Sequence, residues 1–264
     1  MRVLSLNAWG GAVFDVFADA LASYNADVLC LQEVTRTAGV GGWTRFDDVD
    51  RSLPQRANLF ADVCTLLPHH HGVFVASDAG PVTDSTGTRH QQNFGLAVFV
   101  HERLSIIRQY ANFVHGDFVV HEEWPIADRP RLAQAIRVHD TDTNRVVSIT
   151  HLHGLRDPAG KIDTPQRRRQ AERLADVVTT IRRTNDFSIV CGDMNLLPNS
   201  ETFAVLASIG LTDLVGHAST RTSLYKKSVR HANYMLVSDP RSVARFTISH
   251  APEVSDHCAL ILDV

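Results

Sequence analysis

The chain has 264 residues with a hydrophobic fraction of 44%, enough to bury a large core, and its formal net charge is -3. This charge gives no general electrostatic case for nucleic acid as a partner, so any such binding would depend on a local basic patch. No stretch is apolar over the length of a bilayer, and strand-like sequence begins at once without a basic, apolar leader, which predicts a soluble cytoplasmic protein with no membrane insertion.

The N-terminal segment predicts a strand, a helix and a second strand. Apolar and polar residues alternate over residues 3–7, so the first strand ends at Asn7. Apolar residues then recur at helical spacing, at Phe14, Phe17, Ala18 and Leu21. Residues 28–33 predict the second strand, which also ends on a polar residue, Glu33. This order favours a sheet covered by helices on one face.

Residues 35–52 are rich in glycine, threonine, aspartate and arginine, and we predict a loop there. Ser52 and Pro54 predict the start of a helix that runs to Leu67. The triplet His69–His71 could bind a metal, but three consecutive histidines cannot all face one ion, which favours a solvated turn.

Three further strands are predicted, over residues 73–75, 93–100 and 104–114. Residues 78–92 predict a polar loop near the entrance for a substrate. The segment 115–130 is irregular and leaves Arg129 available to a cleft. We therefore expect Arg129 to bind a substrate phosphate.

A hairpin is predicted from strands at residues 132–139 and 145–150, because the residues between them favour turns. Its second strand runs into His151 and His153. Such a pair can bind a metal, or one imidazole can be catalytic while the other takes no part in the reaction.

Thr164 followed by Pro165 predicts the start of a long helix. An apolar stripe runs along it, formed by Ala171, Leu174, Ala175, Val178 and Ile181. Its arginines are predicted to stay mostly outside, at positions 167, 168, 169, 173, 182 and 183. They could track phosphates, although a solvated helix face is the favoured interpretation.

The stretch 188–195 is an apolar run that ends abruptly in glycine, a carboxylate and an amide. The run predicts a buried strand, and Asp193 and Asn195 would point to the same side where it ends. A carboxylate at the rim of a core is costly unless it is paired, hydrogen-bonded or bound to a metal. The alternative is that Asp193 caps the following helix, predicted over residues 201–209.

The chain closes with two strands, over residues 232–237 and 244–248, and a final strand that begins after Asp256 and His257. The four cysteines lie scattered without a C-x-x-C pair, which favours reduced, buried thiols over a disulfide framework or a zinc site. No repeat, low-complexity tract or linker divides the sequence, so we predict one catalytic domain over residues 1–264.

Separate strands therefore end or begin on polar residues, namely Asn7, Glu33, His151, Asp193 with Asn195, and Asp256 with His257. Two sheets packed face to face with helices outside would let one rim gather all of them. This ordered set resembles the endonuclease/exonuclease/phosphatase superfamily. The resemblance is carried by Leu6-Asn7-Ala8-Trp9, Gln32-Glu33, Thr150-His151-Leu152, Gly192-Asp193-Met194-Asn195 and Ser255-Asp256-His257.

The resemblance implies an α/β fold, a four-layer sandwich of two packed, mainly antiparallel β-sheets flanked by helices. It also implies divalent-metal-dependent cleavage of phosphate esters, by direct in-line hydrolysis. Glu33 would hold Mg²⁺ or Mn²⁺, with Asn7 and Asp256 close to the ion or its waters. These oxygen ligands suit a hard cation, and such a cation stabilises the charge that a phosphoester gains as water attacks.

The same resemblance implies roles for the other polar residues. Asp193 would orient and deprotonate the attacking water, while Asn195 supports it and touches the phosphate. His257 would donate to a non-bridging phosphate oxygen. His151 would lie next to the scissile phosphate and could assist the leaving group.

One position departs from the pattern of many relatives, which have an aspartate that orients the active-site histidine. This chain has Asn233 there, before Tyr234. An amide can accept a hydrogen bond from imidazole but cannot stabilise imidazolium as a carboxylate does. The pKa of His257 should therefore be lower than in a histidine-aspartate dyad.

The leading functional hypothesis is a phosphodiesterase acting on DNA or RNA, as a nuclease or end-processing enzyme. Arg129, Arg131 and the arginine-rich helix support it modestly. The alternative is a phosphatase or phosphodiesterase for a small phosphorylated metabolite or lipid head group. A non-catalytic binding module is disfavoured because no catalytic residue is lost, and a zinc hydrolase using His151 and His153 lacks identifiable further ligands. No obligate protein partner is evident.

Overall fold

Two β-sheets form the centre of the computed structural model, which describes residues 1–264. The strands are β1 (Arg2–Asn7), β2 (Val28–Arg36), β3 (Trp43–Asp47), β4 (Ser52–Arg56), β5 (His70–Asp84), β6 (Arg89–His101), β7 (Leu104–His115), β8 (Val119–Val120), β9 (Arg131–Asp140), β10 (Arg145–His153), β11 (Phe187–Asp193), β12 (Thr212–Asp213), β13 (Asn233–Val237), β14 (Arg245–Ser249) and β15 (Ala259–Asp263). The helices are α1 (Phe14–Leu21), α2 (Leu59–Leu66), α3 (Pro165–Ile181) and α4 (Glu201–Ser208). No helix among them is both long and apolar enough to cross a membrane.

The larger sheet has nine strands in the order β14-β15-β1-β2-β6-β5-β3-β4, with β8 beside β5. The smaller sheet has six strands in the order β12-β13-β11-β10-β9-β7. Most neighbours are antiparallel, but β1 runs parallel to β2 and β10 runs parallel to β11. The carboxyl ends of each parallel pair therefore meet at one edge, with Asn7 opposite Gln32 and His153 opposite Asp193.

The inner faces of the two sheets share one hydrophobic core, in which Val3 and Cys30 of the larger sheet pack with Ile149 and Ile189 of the smaller one. Helix α3 joins the same cluster from the far side of the smaller sheet. Helices α1 and α2 pack in a second cluster against the outer face of the larger sheet. These layers confirm the predicted four-layer α/β sandwich.

Helix α3 starts where the sequence predicted, because the side chain of Thr164 accepts a hydrogen bond from Arg167 N and Pro165 occupies the first turn. The arginines stay mostly outside, as predicted, and Arg167 is the one that is buried. Its guanidinium donates to the carbonyl oxygens of Asn195 (2.7 Å) and Gly160 (2.7 Å). The helix thereby fixes the chain that follows β11.

Two predicted loops are strands in the structure. Residues 43–56 contain the hairpin β3–β4, and α2 begins only at Leu59, capped by Asn58. Pro54 predicts a helix start, but it lies in β4. This is an edge strand, in which a proline, which has no backbone N–H, is tolerated. Residues 78–92 form the turn and the adjoining strand ends of the long β5–β6 hairpin, where polar side chains hid the strand pattern.

Candidate active site

Asn7 ends β1, and Glu33 lies in a bulge within β2. The pairing of β2 with β6 slips between Leu31 and Val34, and Glu33 in this bulge has a φ of 54°. Such a bulge re-aims a side chain, and here Glu33 reaches the rim of the sheet. The amide nitrogen of Asn7 donates to Glu33 Oε1 (3.0 Å) and to Asp193 Oδ2 (3.0 Å), so one side chain links the two sheets. Its oxygen accepts from Trp9 N (2.9 Å).

Glu33, His153 and Asp193 bring their possible ligand atoms within 4.8 Å of one another. His153 Nε2 lies 3.7 Å from Glu33 Oε1 and 3.9 Å from Asp193 Oδ2. No arginine or lysine forms an ion pair with either carboxylate. Burial, reinforced by the positive charge of Arg131, holds the pKa of His153 well below its usual value, so the imidazole is neutral and can ligate. This donor set fits a divalent cation, which would compensate the two carboxylates.

Asp193 ends β11 and is almost fully buried. Its Oδ1 accepts a hydrogen bond from Asn195 N (2.9 Å), and its Oδ2 accepts from Asn7. Burial alone would raise the pKa of Asp193, but the surrounding His153, Arg221, Lys161 and Asn7 lower it. The alternative role as a helix cap is wrong, since α4 begins at Glu201 and is capped by Ser200.

His257 faces Asp193 from the start of the last strand. Its Nε2 lies 3.4 Å from Asp193 Oδ2 and 3.6 Å from Asp256 Oδ1, while its Nδ1 contacts the amide oxygen of Asn233. Asp256 accepts a hydrogen bond from Arg221 Nη1 (2.6 Å). Burial, with the charges of Glu33 and Asp193, raises the pKa of Asp256 to about 7 although Arg221 opposes this. Burial holds the pKa of His257 well below its usual value.

The sequence as a whole matches a known family. A profile of the Endonuclease/Exonuclease/phosphatase family matches residues 4–257, nearly the whole chain. The chain belongs to this family. The members of this family are phosphoester hydrolases and generally depend on a divalent metal. No curated protein matches the chain by sequence at a significant level.

Several solved structures share the fold of this family member over nearly their whole length. A mannosyl-6-phosphatase from Bacteroides thetaiotaomicron has a TM-score of 0.68 at 16% identity, covering 100% of this chain and 98% of its own. The human Nocturnin catalytic domain with bound sulfate has a TM-score of 0.63 at 17% identity, covering 100% and 92%. A humanized TDP2 from D. rerio has a TM-score of 0.61 at 13% identity, covering 99% and 97%. At these identities the likeness shows the fold alone.

Six of the residues predicted for the site of this family member lie together at the rim, namely Asn7, Glu33, Asp193, Asn195, Asp256 and His257. His151 does not join them. Its Nδ1 lies 3.3 Å from Gln32 Nε2 and its Nε2 lies 2.9 Å from Gln134 Oε1, so both ring nitrogens are occupied below the rim. Burial lowers the pKa of His151 to about 3.

The sequence predicts a catalytic role for His151 and none for His153. In the structure His153 is the histidine that reaches the carboxylates. Both histidines point to the same side of β10, because they are two residues apart. His153 is the last residue of the strand and therefore the nearer one to the rim. That position was the signal in the sequence that could have separated it from His151.

Arg129 was expected to bind a substrate phosphate, but its guanidinium is occupied. Its Nε and Nη2 donate to Asp78 Oδ2 (2.7 Å) and Oδ1 (3.0 Å). Its guanidinium carbon also lies 4.4 Å from the ring centre of Phe94 and 4.3 Å from that of Trp124. Arg129 therefore anchors the segment before β9, and the Nε–Nη2 edge of its guanidinium is used by Asp78.

Two basic residues that the sequence did not single out for the site face it from irregular segments. Arg221 binds Asp256, and Lys161 donates to the carbonyl oxygen of His231. Burial lowers the pKa of Lys161 to about 8, although Asp193 partly offsets this. No local pattern marks such residues, because their place depends on how loops fold back over the rim.

Proposed function

We propose that the chain is a divalent-metal-dependent phosphoesterase that hydrolyses a phosphate ester by in-line attack of water. The observation that carries the proposal is the convergence of Glu33, His153 and Asp193, whose ligand atoms lie within 4.8 Å, beside His257 at 3.4 Å from Asp193. Such a site combines a cation-binding group, a base and a donor, the parts that phosphoester hydrolysis needs. A non-catalytic binding module would need none of these.

Glu33, His153 and Asp193 would hold the cation, and we expect Mg²⁺ or Mn²⁺. The imidazole favours Mn²⁺ of the two, because Mg²⁺ prefers oxygen ligands. When bound, the ion would supply Lewis-acid stabilisation of negative charge on the phosphate oxygens. Asn7 would act on the ligands rather than on the ion, since it orients both carboxylates while its oxygen bonds Trp9 N.

Asp193 would accept the proton of the attacking water. Its lowered pKa keeps it ionised at neutral pH, and the backbone N–H of Asn195 fixes its Oδ1. The side chain of Asn195 donates to the carbonyl oxygen of Gly154 (3.3 Å), which places it beside the same carboxylate. We retain Asn195 as a support for Asp193 and as a contact for the phosphate.

His257 would donate a hydrogen bond to a non-bridging phosphate oxygen. Either end of the Asn233 amide can satisfy its Nδ1: the oxygen accepts from a protonated Nδ1, and after a half-turn the NH₂ donates to an unprotonated Nδ1. The second arrangement leaves the proton on Nε2, which faces the site. The low pKa of His257 keeps the ring neutral, so it would donate from Nε2 in this second arrangement.

Nucleic acid as the substrate stays a prediction, and two of the arguments for it are weaker in the structure. Arg129 is bound to Asp78, and on the arginine-rich helix Arg167 is buried while Arg168 pairs with two glutamates. We therefore favour the second candidate, a small phosphorylated substrate. The similar fold of a mannosyl-6-phosphatase, a protein named for a small phosphate monoester, agrees with this choice.

The test is a panel of single-stranded, duplex and abasic DNA, RNA, and small phosphate monoesters and diesters, each with Mg²⁺, Mn²⁺ or a chelator. We expect hydrolysis that needs the metal and that falls by about 10³-fold or more in Asp193→Ala, since a general base and a metal ligand are removed together. Asp176→Asn, on the exposed face of α3, is the control and should behave as the wild type. Equal activity of Asp193→Ala and the wild type would contradict the proposal.

A further inference from the structure

Arg131, the first residue of β9, is a buried arginine without a partner. Its exposed fraction is 5%, and its guanidinium forms no hydrogen bond or ion pair. Arginine is almost never buried unless it is paired, because taking a charge out of water is costly. A group of this kind at the rim of a site indicates that its partner is a ligand.

The carboxylate of Asp78, whose charge acts on Arg131, is already used. Asp78 receives both Nε and Nη2 of Arg129, and His121 Nε2 lies 3.1 Å from its Oδ2. Arg129 therefore occupies this carboxylate, and the negative charges of Asp78, Glu33 and Asp193 act on Arg131 without forming an ion pair with it. Burial and the charge of Arg129 lower its pKa to about 10, so it remains cationic at neutral pH.

Arg131 also lies beside the candidate metal ligands. It lines a small cavity together with Ser77, Phe94, Gly95, Leu96, Leu132 and His153. His153 in turn faces Glu33 and Asp193. An anion that reached Arg131 would thus adjoin the ion held by those residues.

We propose that Arg131 binds the oxygens of a terminal phosphate group, so that the enzyme prefers phosphate monoesters to diesters. This inference rests on the proposed function and narrows it. A phosphate monoester has one more unsubstituted oxygen and more negative charge than a diester, and these can face the planar, bidentate guanidinium. On the side of the small cavity Arg131 is walled by Phe94, Leu96 and Leu132, all buried, so a phosphate would approach it from the side of the metal ligands and no substituent could continue past it.

The first test is thermal unfolding with and without inorganic phosphate, on wild type, Arg131→Met and Arg131→Lys. We expect phosphate to raise the Tm of the wild type and not that of Arg131→Met. Without phosphate, Arg131→Met should have the higher Tm, because an unpaired buried charge is gone. Arg173→Met, on the exposed face of α3, is the matched control and should respond to phosphate as the wild type does.

The second test compares p-nitrophenyl phosphate with bis-p-nitrophenyl phosphate. Arg131→Met should lose about tenfold or more in kcat/KM on the monoester, the effect of one charge-assisted hydrogen bond, and change little on the diester. Arg131→Lys keeps the charge without the fork and should recover part of the loss, which also covers the case in which Arg131→Met does not fold.

A phosphate-induced rise of Tm that persists in Arg131→Met, or an equal loss on both substrates, would overturn the proposal. The protein could instead hydrolyse neither substrate while phosphate still raises its Tm only when Arg131 is present. That result would support the phosphate site and overturn the proposed function. The two failures are therefore distinguishable.

Discussion

The side chain of Asn233 contacts Nδ1 of His257, and no acidic residue can take its place there. The carboxylate of Asp213 accepts the backbone N–H groups of Val215 and Gly216. The carboxylate of Asp239 is bound to Arg241 and Ser242. His257 therefore has an amide as its partner at Nδ1, and an amide does not stabilise imidazolium.

We predict that Asn233→Asp raises the pKa of His257. An ionised carboxylate at Nδ1 favours the protonated ring, so the limb of the pH-rate profile that reports this histidine should move to higher pH. The measurement is kcat/KM against pH, with Asn185→Asp on an exposed loop as the control for added charge. A profile unchanged from that of the wild type would show that Asn233 does not govern His257.

For single residues, the sequence predicted which residue types form the site better than it predicted the contacts that they make. Asn7, Glu33 and Asp193 could be chosen because each is the polar residue that closes an apolar, strand-like run. The choice of His151 over His153 rested on a resemblance and missed that His153 lies nearer the rim. The pairing of Arg129 with Asp78 could not be foreseen, because Asp78 lies in a strand that the sequence predicts as a loop.

The segment before β9 is held by one buried ion pair. Asp78 on β5 is fully buried, and its bidentate bond with Arg129 joins this segment to the long β5–β6 hairpin. Trp124 from the same segment packs against Phe46 and Phe94. The wall of the cleft beside Arg131 therefore depends on this pair.

We predict that Asp78→Asn lowers the free energy of unfolding by about 3–5 kcal/mol, because it leaves Arg129 buried without a counter-charge. Chemical denaturation of the variant and the wild type measures this difference. Asp47→Asn, which breaks an exposed pair with Arg45, is the control and should cost less than about 1 kcal/mol. A loss for Asp78→Asn no larger than that of the control would contradict the assignment.

The pH dependence of the same pair has a defined sign. Burial would raise the pKa of Asp78, but Arg129 and Arg131 outweigh it and lower the pKa below its usual value. The contribution of Asp78 to stability is then complete above the unfolded value of about 4 and is lost as the pH falls through the lower folded value. The difference between wild type and Asp78→Asn should shrink in that acidic range.

At the scale of the molecule, the site exists only where the two sheets meet. Asn7 and Glu33 belong to the larger sheet, whereas His153 and Asp193 belong to the smaller one. The hydrogen bond from Asn7 to Asp193 crosses between them. Any packing shift between the sheets would therefore separate the candidate metal ligands.

The layered fold could be predicted because long apolar strands alternate with two amphipathic helices, and the motifs carried a family resemblance. The hairpin at residues 43–56 could not, because its strands are only five residues long and their buried positions include the polar residues Thr44 and Gln55, which give no apolar alternation. The bulge at Glu33 was equally hidden, since its φ of 54° follows from the pairing of β2 with β6.

The most direct test of the proposed metal site is calorimetric titration of Mn²⁺ into chelator-treated protein, comparing His153→Ala with His151→Gln. We predict that the wild type and His151→Gln bind Mn²⁺. His153→Ala and Glu33→Gln should bind it about tenfold more weakly or not at all, since each loses a ligand. Binding that survives in His153→Ala and Glu33→Gln but is lost in His151→Gln would contradict this prediction.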